Sequence, residues 1–458
     1  MLHHLLSRTL ESDSNREILE SDGIWTTAAE LERLAARLAS GLAALGLEEG
    51  DRVALLLPNC REAVVCFLAC FRMRLVVVPL DSQYHPRQIG YALGHSGAEI
   101  LIVGHERVPG LEEAGVLGAG LRVAVVGGTA AGSHRPFEAL LGAERGLPAG
   151  APHEDTPAVM IYTSGTTSRP KGVVLSHGAL ANGIRKYLAR VTLAADDVAV
   201  VSSSISRPLA LRCQLLPTLW VGGRVCLLRK FSVESVVDCL RRPPAKTFLT
   251  LTPAGLGQLV ASPDFQGLDS SHLRLCLAGG DRVPARLLES FERITGVPVT
   301  EQCGSTETGP YAMNPPFGRK KPGSVGPPVH GVHVAVVDEH GNDVPTGTVG
   351  DIRVSGPGIM DGYWNESALT RKTLQKGWVL TGDLGRFDED GYLWFVGRRK
   401  DVIVRMKDGL ANKVAPLEVE AALSEHPLVR ESCVIGVPDP VSGESPHAYV
   451  LLQPGGDV

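Results

Sequence analysis

The strongest constraint on the fold is an alternation that runs through most of the chain. Short apolar segments, each closed by Gly, Pro or polar turn residues, are separated by stretches with helical spacing. Arg52–Pro58, Leu75–Pro79, Glu99–Val103 and Arg122–Val126 read as strands, with helices expected around Glu62–Phe71 and Pro86–Ser96. An earlier helix starts at Thr27, where Glu30 three residues on completes a capping-box pattern. Leu31, Leu34, Leu38, Leu42 and Leu45 then share one face until Gly46. Further strands are expected at Ala158–Thr163, Gly172–Leu175, Val198–Ser202, Arg224–Leu228, Phe248–Leu251, Leu273–Ala278 and Val297–Gln302. Strands separated by helices of ten to fifteen residues pair by crossing over, so the expected class is α/β, with layered, mostly parallel sheets.

Two shifts in pattern divide the chain. Residues 127–156, rich in Gly, Ala and Pro, read as a surface connection. From about 324, Gly and Pro become dense and β-branched runs such as Val332–Val337 and Gly350–Val354 replace long helices, which predicts a β-rich subdomain over about 324–399. After Lys400 come strand-like residues 402–405, a helix over Pro416–Glu425 and strands at 432–436 and 447–452. The expectation is a large domain over 1–399, then a small α+β domain over 400–458 that reads as truncated.

Composition narrows the function. At 458 residues, 44% hydrophobic and 21% charged, the chain can bury a large core without disulfides or a structural metal. Lys and Arg number 45 against 50 Asp and Glu, a formal charge of −5, so no overall basic field is available to hold nucleic acid or an anionic membrane. Nine Cys lie scattered without a CxxC pair, the pattern of reduced thiols in a cytoplasmic protein. No signal-peptide pattern opens the chain, and the run Ala63–Phe71 between Glu62 and Arg72 is too short to span a bilayer.

The sharpest local motif is Tyr162-Thr-Ser-Gly-Thr-Thr-Ser-Arg-Pro-Lys171-Gly172. An apolar strand runs into hydroxyl and glycine residues with a Lys shortly after, a density of donors suited to phosphate oxygens. It is a poor Walker A loop, because Pro170 and Gly172 flank the Lys where Gly and Ser or Thr are needed, and a strand follows where a helix should. Taken alone, the stretch could equally be a polar surface loop.

This motif resembles the phosphate-binding signature of the adenylate-forming superfamily, which includes acyl- and aryl-CoA ligases, nonribosomal-peptide adenylation domains and firefly-type luciferases. The resemblance covers nearly the whole chain, since Gly304-Ser-Thr-Glu-Thr308, Gly350-Asp-Ile-Arg-Val-Ser-Gly356 with Gly362-Tyr363, Thr381-Gly-Asp383 and Gly397-Arg-Arg-Lys-Asp401 follow in family order. It implies an ATP- and Mg²⁺-dependent ligase. Such an enzyme converts a small carboxylic acid to an acyl-adenylate and passes the acyl group to a thiol, either CoA or the phosphopantetheine of an acyl carrier protein. By resemblance, Thr163, Ser164, Gly165, Thr166, Thr167 and Lys171 embrace the β and γ phosphates. Thr306 contacts the α-phosphate, Glu307 holds Mg²⁺, and Lys171, Thr306 and Glu307 form the catalytic set. Asp383 and Arg398 bind the ribose, Gly279 and Gly280 approach adenine, and Lys400 is the hinge. Each has a plainer reading in isolation: a solvated carboxylate for Glu307, a turn cap for Asp383, surface cations for Arg398 and Lys400.

Four departures bear on what transfers. Cys303 stands where relatives place an aromatic residue that stacks on adenine, a loss of about 1 kcal/mol. The segment Ser202–Leu211 carries Arg207 where relatives have His or an aromatic residue, and no Asp to pair an α-ammonium group, which argues against an α-amino acid substrate. Arg207 and Gly304 are the candidates for the acid pocket, with Arg207 either pairing a second oxygen of the substrate or lying on the surface. The loop 406–416 is longer than usual. The sequence also ends before the position of the catalytic Lys that relatives carry near their C-terminus. A non-catalytic nucleotide-binding homologue is the alternative of another class.

Overall fold

The computed structural model describes residues 2–118, 120–128, 134–142, 152–163, 169–242, 246–407, 410–439 and 443–452. Two eight-stranded sheets form the body. In the first, the strands run in the order Gly309–Met313, Val299–Ser305, Leu273–Ala278, Lys246–Leu251, Asp197–Val201, Arg224–Leu227, Glu17–Ser21 and Ile24–Thr27, parallel except for the two edge strands. In the second, Pro157–Thr163, Val76–Pro79, Arg52–Leu56, Ile100–Gly104, Arg122–Val126 and Arg135–Pro136 run parallel, while Lys171–Ser176 and Gly362–Tyr363 add on antiparallel at one edge. The expected mixed α/β architecture is present.

The packing explains why so many strands read as continuous apolar runs and not as alternating ones. Both faces of each sheet are covered. Along Asp197–Val201, Ala199 and Val201 join the central core, whereas Val198 and Val200 pack on the other face with Leu249, Phe265 and Phe291. In the second sheet Val53 and Val77 face the central core and Ala54, Val76 and Val78 the outer one. Between the sheets lies the helix Arg61–Met73, almost wholly buried, with Phe67 and Phe71 at 1% and 0% exposure. The neighbouring helix Ala28–Ala44 starts as its sequence predicts, with the Thr27 hydroxyl accepting from the Glu30 N–H at 3.2 Å, and it buries Leu31, Leu38 and Leu42.

One expectation needs correcting. Part of the 127–156 connection lies outside the described residues, but Arg135–Pro136 extends the second sheet, and the following turn buries Phe137 and Leu140 against the central core. A Gly/Ala/Pro-rich background masked two well-separated apolar anchors. Helices at His177–Val191, Val233–Arg241, Pro253–Ala261 and Ala285–Thr295 complete the layers.

The β-rich region is an antiparallel sheet of His333–Val337, Gly350–Ser355, Trp378–Phe387, Leu374–Gln375 and Leu393–Arg398. A fourth sheet follows, in the order Leu410–Val414, Ile403–Lys407, Gly443–Leu452 and Val429–Asp439, with one helix, Pro416–Ser424. Among the described residues no helix is long and apolar enough to cross a membrane.

Candidate active site

The carboxyl ends of the first sheet's parallel strands are where an open α/β sheet leaves room for a ligand. Leu273–Ala278 ends there in Gly279 and Gly280, and Gly280 has φ +92°, a conformation costly for any side-chain-bearing residue. Val299–Ser305 ends beside it and turns back into Gly309–Met313. The turn is pinned by its own hydroxyls: the Ser305 N–H donates to Thr308 Oγ1 at 3.1 Å and the Thr308 N–H to Ser305 Oγ at 3.2 Å. Gly304 fits only without a Cβ, which would sit 2.6 Å from the Gly309 carbonyl.

This turn carries Thr306 and Glu307, and two other parts of the chain hold it. Arg212, 4% exposed, donates from Nη1 to the Thr306 carbonyl at 3.0 Å and from Nη2 to the Gly358 carbonyl at 2.7 Å. The Met360 N–H donates to the Glu307 carbonyl at 2.6 Å, and the Tyr363 hydroxyl to Glu307 Oε1 at 2.8 Å. Lys171 completes the group, its Nζ lying 5.6 Å from the Tyr363 ring centre. Burial, then the Glu307 charge, pushes the Tyr363 hydroxyl well above its ordinary pKa, so it stays a donor.

Lys171 is placed by register. It pairs directly with Thr163 in an antiparallel ladder. Ser164, Gly165, Thr166 and Thr167 lie outside the described residues.

Asp383 and Arg398 face each other across neighbouring strands, with Arg398 Nε 3.1 Å from Asp383 Oδ1. That contact is close but poorly aligned, and Oδ1 has no well-formed hydrogen bond among the described residues, while the nearby Tyr311 hydroxyl favours the charged carboxylate. Burial raises the Asp383 carboxyl to about 6; the Arg398 charge opposes this and Glu307 adds to it. A buried carboxylate oxygen short of donors fits a sugar bearing hydroxyls. Gly280, Cys303, Gly304, Asp383, Arg398 and Lys400 line one cleft of about 660 Å³, whose far side is formed by the 403–452 sheet and the helix Pro416–Ser424. Cys303 is half-buried at its edge, with its thiol donating to the Tyr311 hydroxyl at 3.0 Å; burial pushes that thiol up to about 12. Lys400 lies in the short turn Arg399–Asp401 between the third and fourth sheets. The neighbouring Arg399 is ion-paired to Asp351.

Residues 6–364 match the family model described as AMP-binding enzyme, and residues 418–458 match the AMP-binding enzyme C-terminal domain. The chain belongs to this family. It is 36% identical over 436 residues to a feruloyl-CoA synthase of Amycolatopsis, covering 94% of this chain and 85% of the relative. An indoleacetate–CoA ligase of Aromatoleum aromaticum is 33% identical, covering 93% of this chain and 83% of the relative. Among solved structures, ATP-bound MatB from Rhodopseudomonas palustris superposes with a TM-score of 0.90 at 32% identity, over 100% of this chain and 90% of that one. An anthranilate CoA ligase in complex with anthranoyl-AMP gives 0.91 at 27% identity, over 100% and 88%.

Within the family frame, Arg207 does not line the small chamber beside Gly304. Its Nε donates to the buried Asp81 at 2.6 Å, and most of its side chain is in solvent. Three residues with close ties to the site were absent from the sequence-derived candidates. Tyr363 stood inside a quoted motif without a role. Arg212 was signalled only as a lone charge in the apolar run Leu209–Leu219, and Gln302 by nothing in its surroundings.

Proposed function

We propose that this chain is an AMP-forming acid–thiol ligase that uses ATP and Mg²⁺ to convert a small carboxylic acid to its acyl-adenylate and then passes the acyl group to CoA. The observation that carries this reading is that Glu307, tied to Tyr363 beside Lys171, sits on the turn that follows Cys303 and Gly304 of the cleft lined by Asp383 and Arg398, near enough for its charge to act on Asp383. A carboxylate is a poor electrophile because it has no good leaving group, and joining it to AMP supplies one. The chain must therefore hold a triphosphate, bring the acid in line with the α-phosphate and spread the extra negative charge there.

Asp383 and Arg398 are suited to the ribose, Gly279, Gly280 and Cys303 to the adenine side, and Gly304 to the edge of the acid site. Thr163, Lys171 and the segment 164–167 would serve the phosphates, and Thr306 the α-phosphate. Glu307, steadied by Tyr363, would supply one carboxylate ligand for Mg²⁺. Among the described residues no three His, Cys, Asp or Glu side chains form a metal cage, so the ion's other oxygens would come from phosphate and water. Mg²⁺ bound there would supply charge neutralisation. The place of Lys400 between the third and fourth sheets supports a domain boundary at 399/400, with rotation there exchanging the two half-reactions.

The test is pyrophosphate release from the chain with ATP, Mg²⁺ and a panel of carboxylic acids, followed by thioester formation with CoA or with a holo-carrier protein. Acid-dependent pyrophosphate release and an acyl-CoA product are expected. ATP binding with no pyrophosphate from any acid would instead support a non-catalytic nucleotide-binding protein, and thioester formed only on a carrier would reassign the acceptor.

A further inference from the structure

Beside the cleft lies a chamber of about 90 Å³ that shares Gly280, Gln302, Cys303 and Gly304 with it. Pockets for drug-sized ligands run to about 300–1,000 Å³, so this one suits a short acyl group. Arg212 and Pro310 line both this chamber and a smaller void bounded by Gly183, Ile184 and Leu216, and so part the two. Arg212 cannot swing aside cheaply, because its guanidinium is tied to the Thr306 and Gly358 carbonyls and packs where any side chain at Gly309 would be.

Gln302 is the unusual member of the lining. It is 6% exposed, and neither its Oε1 nor its Nε2 has a hydrogen-bond partner among the described residues. Its neighbours on the strand are provided for: the Glu301 carboxyl accepts from the Gly323 N–H at 3.1 Å, and the Cys303 thiol meets Tyr311. Leaving a buried amide donor and acceptor unpaired costs about 1–3 kcal/mol each. A site that leaves such groups for its substrate to complete can reject an analogue lacking the matching polar group far more strongly than an apolar pocket can reject an analogue one methylene shorter.

We propose that Gln302 selects the acid substrate, its amide hydrogen-bonding a polar substituent on a short acyl chain whose length is limited by Arg212. This rests on the acid–thiol ligase reading above and narrows its substrate to short acids bearing a hydroxyl, keto or similar oxygen. The relatives' named acids, which include feruloyl, indoleacetate and sulfoacetate, leave that choice open.

The experiment uses the full chain with ATP and Mg²⁺ and compares butyrate with 3-hydroxybutyrate and acetoacetate, and benzoate with 3-hydroxybenzoate, by pyrophosphate release. The wild type is expected to favour the oxygenated member of at least one set by about 10- to 100-fold in kcat/KM. Gln302→Leu and the flexible, similarly sized Gln302→Met should bring that ratio to within about threefold of unity, with the KM for ATP unchanged, and Gln302→Asn should retain part of the preference. Two variants guard against a folding defect, and thermal melting checks each. A wild type without preference, or a preference that survives both apolar substitutions, overturns the proposal. So does a rise in the KM for ATP with acid preference intact, since an amide also matches the edge of adenine. Absence of pyrophosphate with every acid would sink the ligase reading itself and this proposal with it, an outcome distinct from turnover without selectivity.

Discussion

The cleft wall built from residues 278–304 rests on parallel strands buried on both faces, whereas the opposite wall has little beneath it. Cys276, Leu277 and Phe291 behind the first wall are fully buried, and Asp383 beside it is 5% exposed. The helix Pro416–Ser424 on the other side buries none of its residues, and Ile435, Tyr449 and Leu451 of the adjoining sheet are 41%, 65% and 49% exposed. Contacts between the two include Arg282 Nη1 to the Leu417 carbonyl and Arg286 Nη1 to the Val429 carbonyl, each 2.7 Å, with Arg286 also reaching Arg430. Close packing fixes the first wall in advance, whereas polar contacts made largely at the surface leave the second free to move at small cost.

The largest effect should come from the rigid wall. Glu307→Gln keeps a hydrogen-bonding partner for Tyr363 but removes the charge, and adenylation should fall by about 10²–10³ in kcat. Pyrophosphate release in single turnover measures it; a fall of less than about threefold would mean that this carboxylate does not meet the phosphates. Asp383→Asn should come next, raising the KM for ATP by about 10- to 100-fold. Because burial lifts Asp383 to about 6, its charged form is present above that pH and is lost below it. Wild-type affinity for ATP should therefore weaken as pH falls from about 7 to 5, while Asp383→Asn shows no such inflection. The same shift means that ionising Asp383 costs the empty fold stability as pH rises from about 4 through 6.

The smallest effect on the first half-reaction should come from the thinly packed second wall. Replacing Arg282 and Arg286 together with Ala should leave adenylation within about threefold and thermal melting little changed, since the contacts removed are exposed or only part-buried. Thioester formation should change more, because it depends on how the second wall docks. A large loss of adenylation in this double variant would show that the two walls act as one body and would end the contrast.

Much of this architecture could be read from the chain before any coordinates. Apolar runs placed the parallel strands to within a few residues, because strands buried on both faces have no polar alternation to confuse the pattern. The helix Ala285–Thr295 went unread even though Leu287, Leu288, Phe291 and Ile294 form one apolar face on the core. The motif order also named Lys171, Thr306, Glu307, Asp383 and Arg398 as candidates, and the fold places Lys171 and Glu307 on either side of Tyr363 and sets Arg398 against Asp383. Arg207 shows the limit of that method. Its position pointed to the acid, yet a buried carboxylate 126 positions away in the chain, Asp81, takes its guanidinium.

What the sequence determined by itself was most of the parallel strands and the residue types available for nucleotide chemistry, since these follow from local periodicity and from motifs a few residues long. Only the tertiary structure decided which of those groups are satisfied and which are left waiting. Arg212 spends its charge on two carbonyls from distant segments, while Gln302 is buried with neither end of its amide paired among the described residues. Hydrogen-bond satisfaction depends on partners brought close by folding, and no spacing along the chain encodes it.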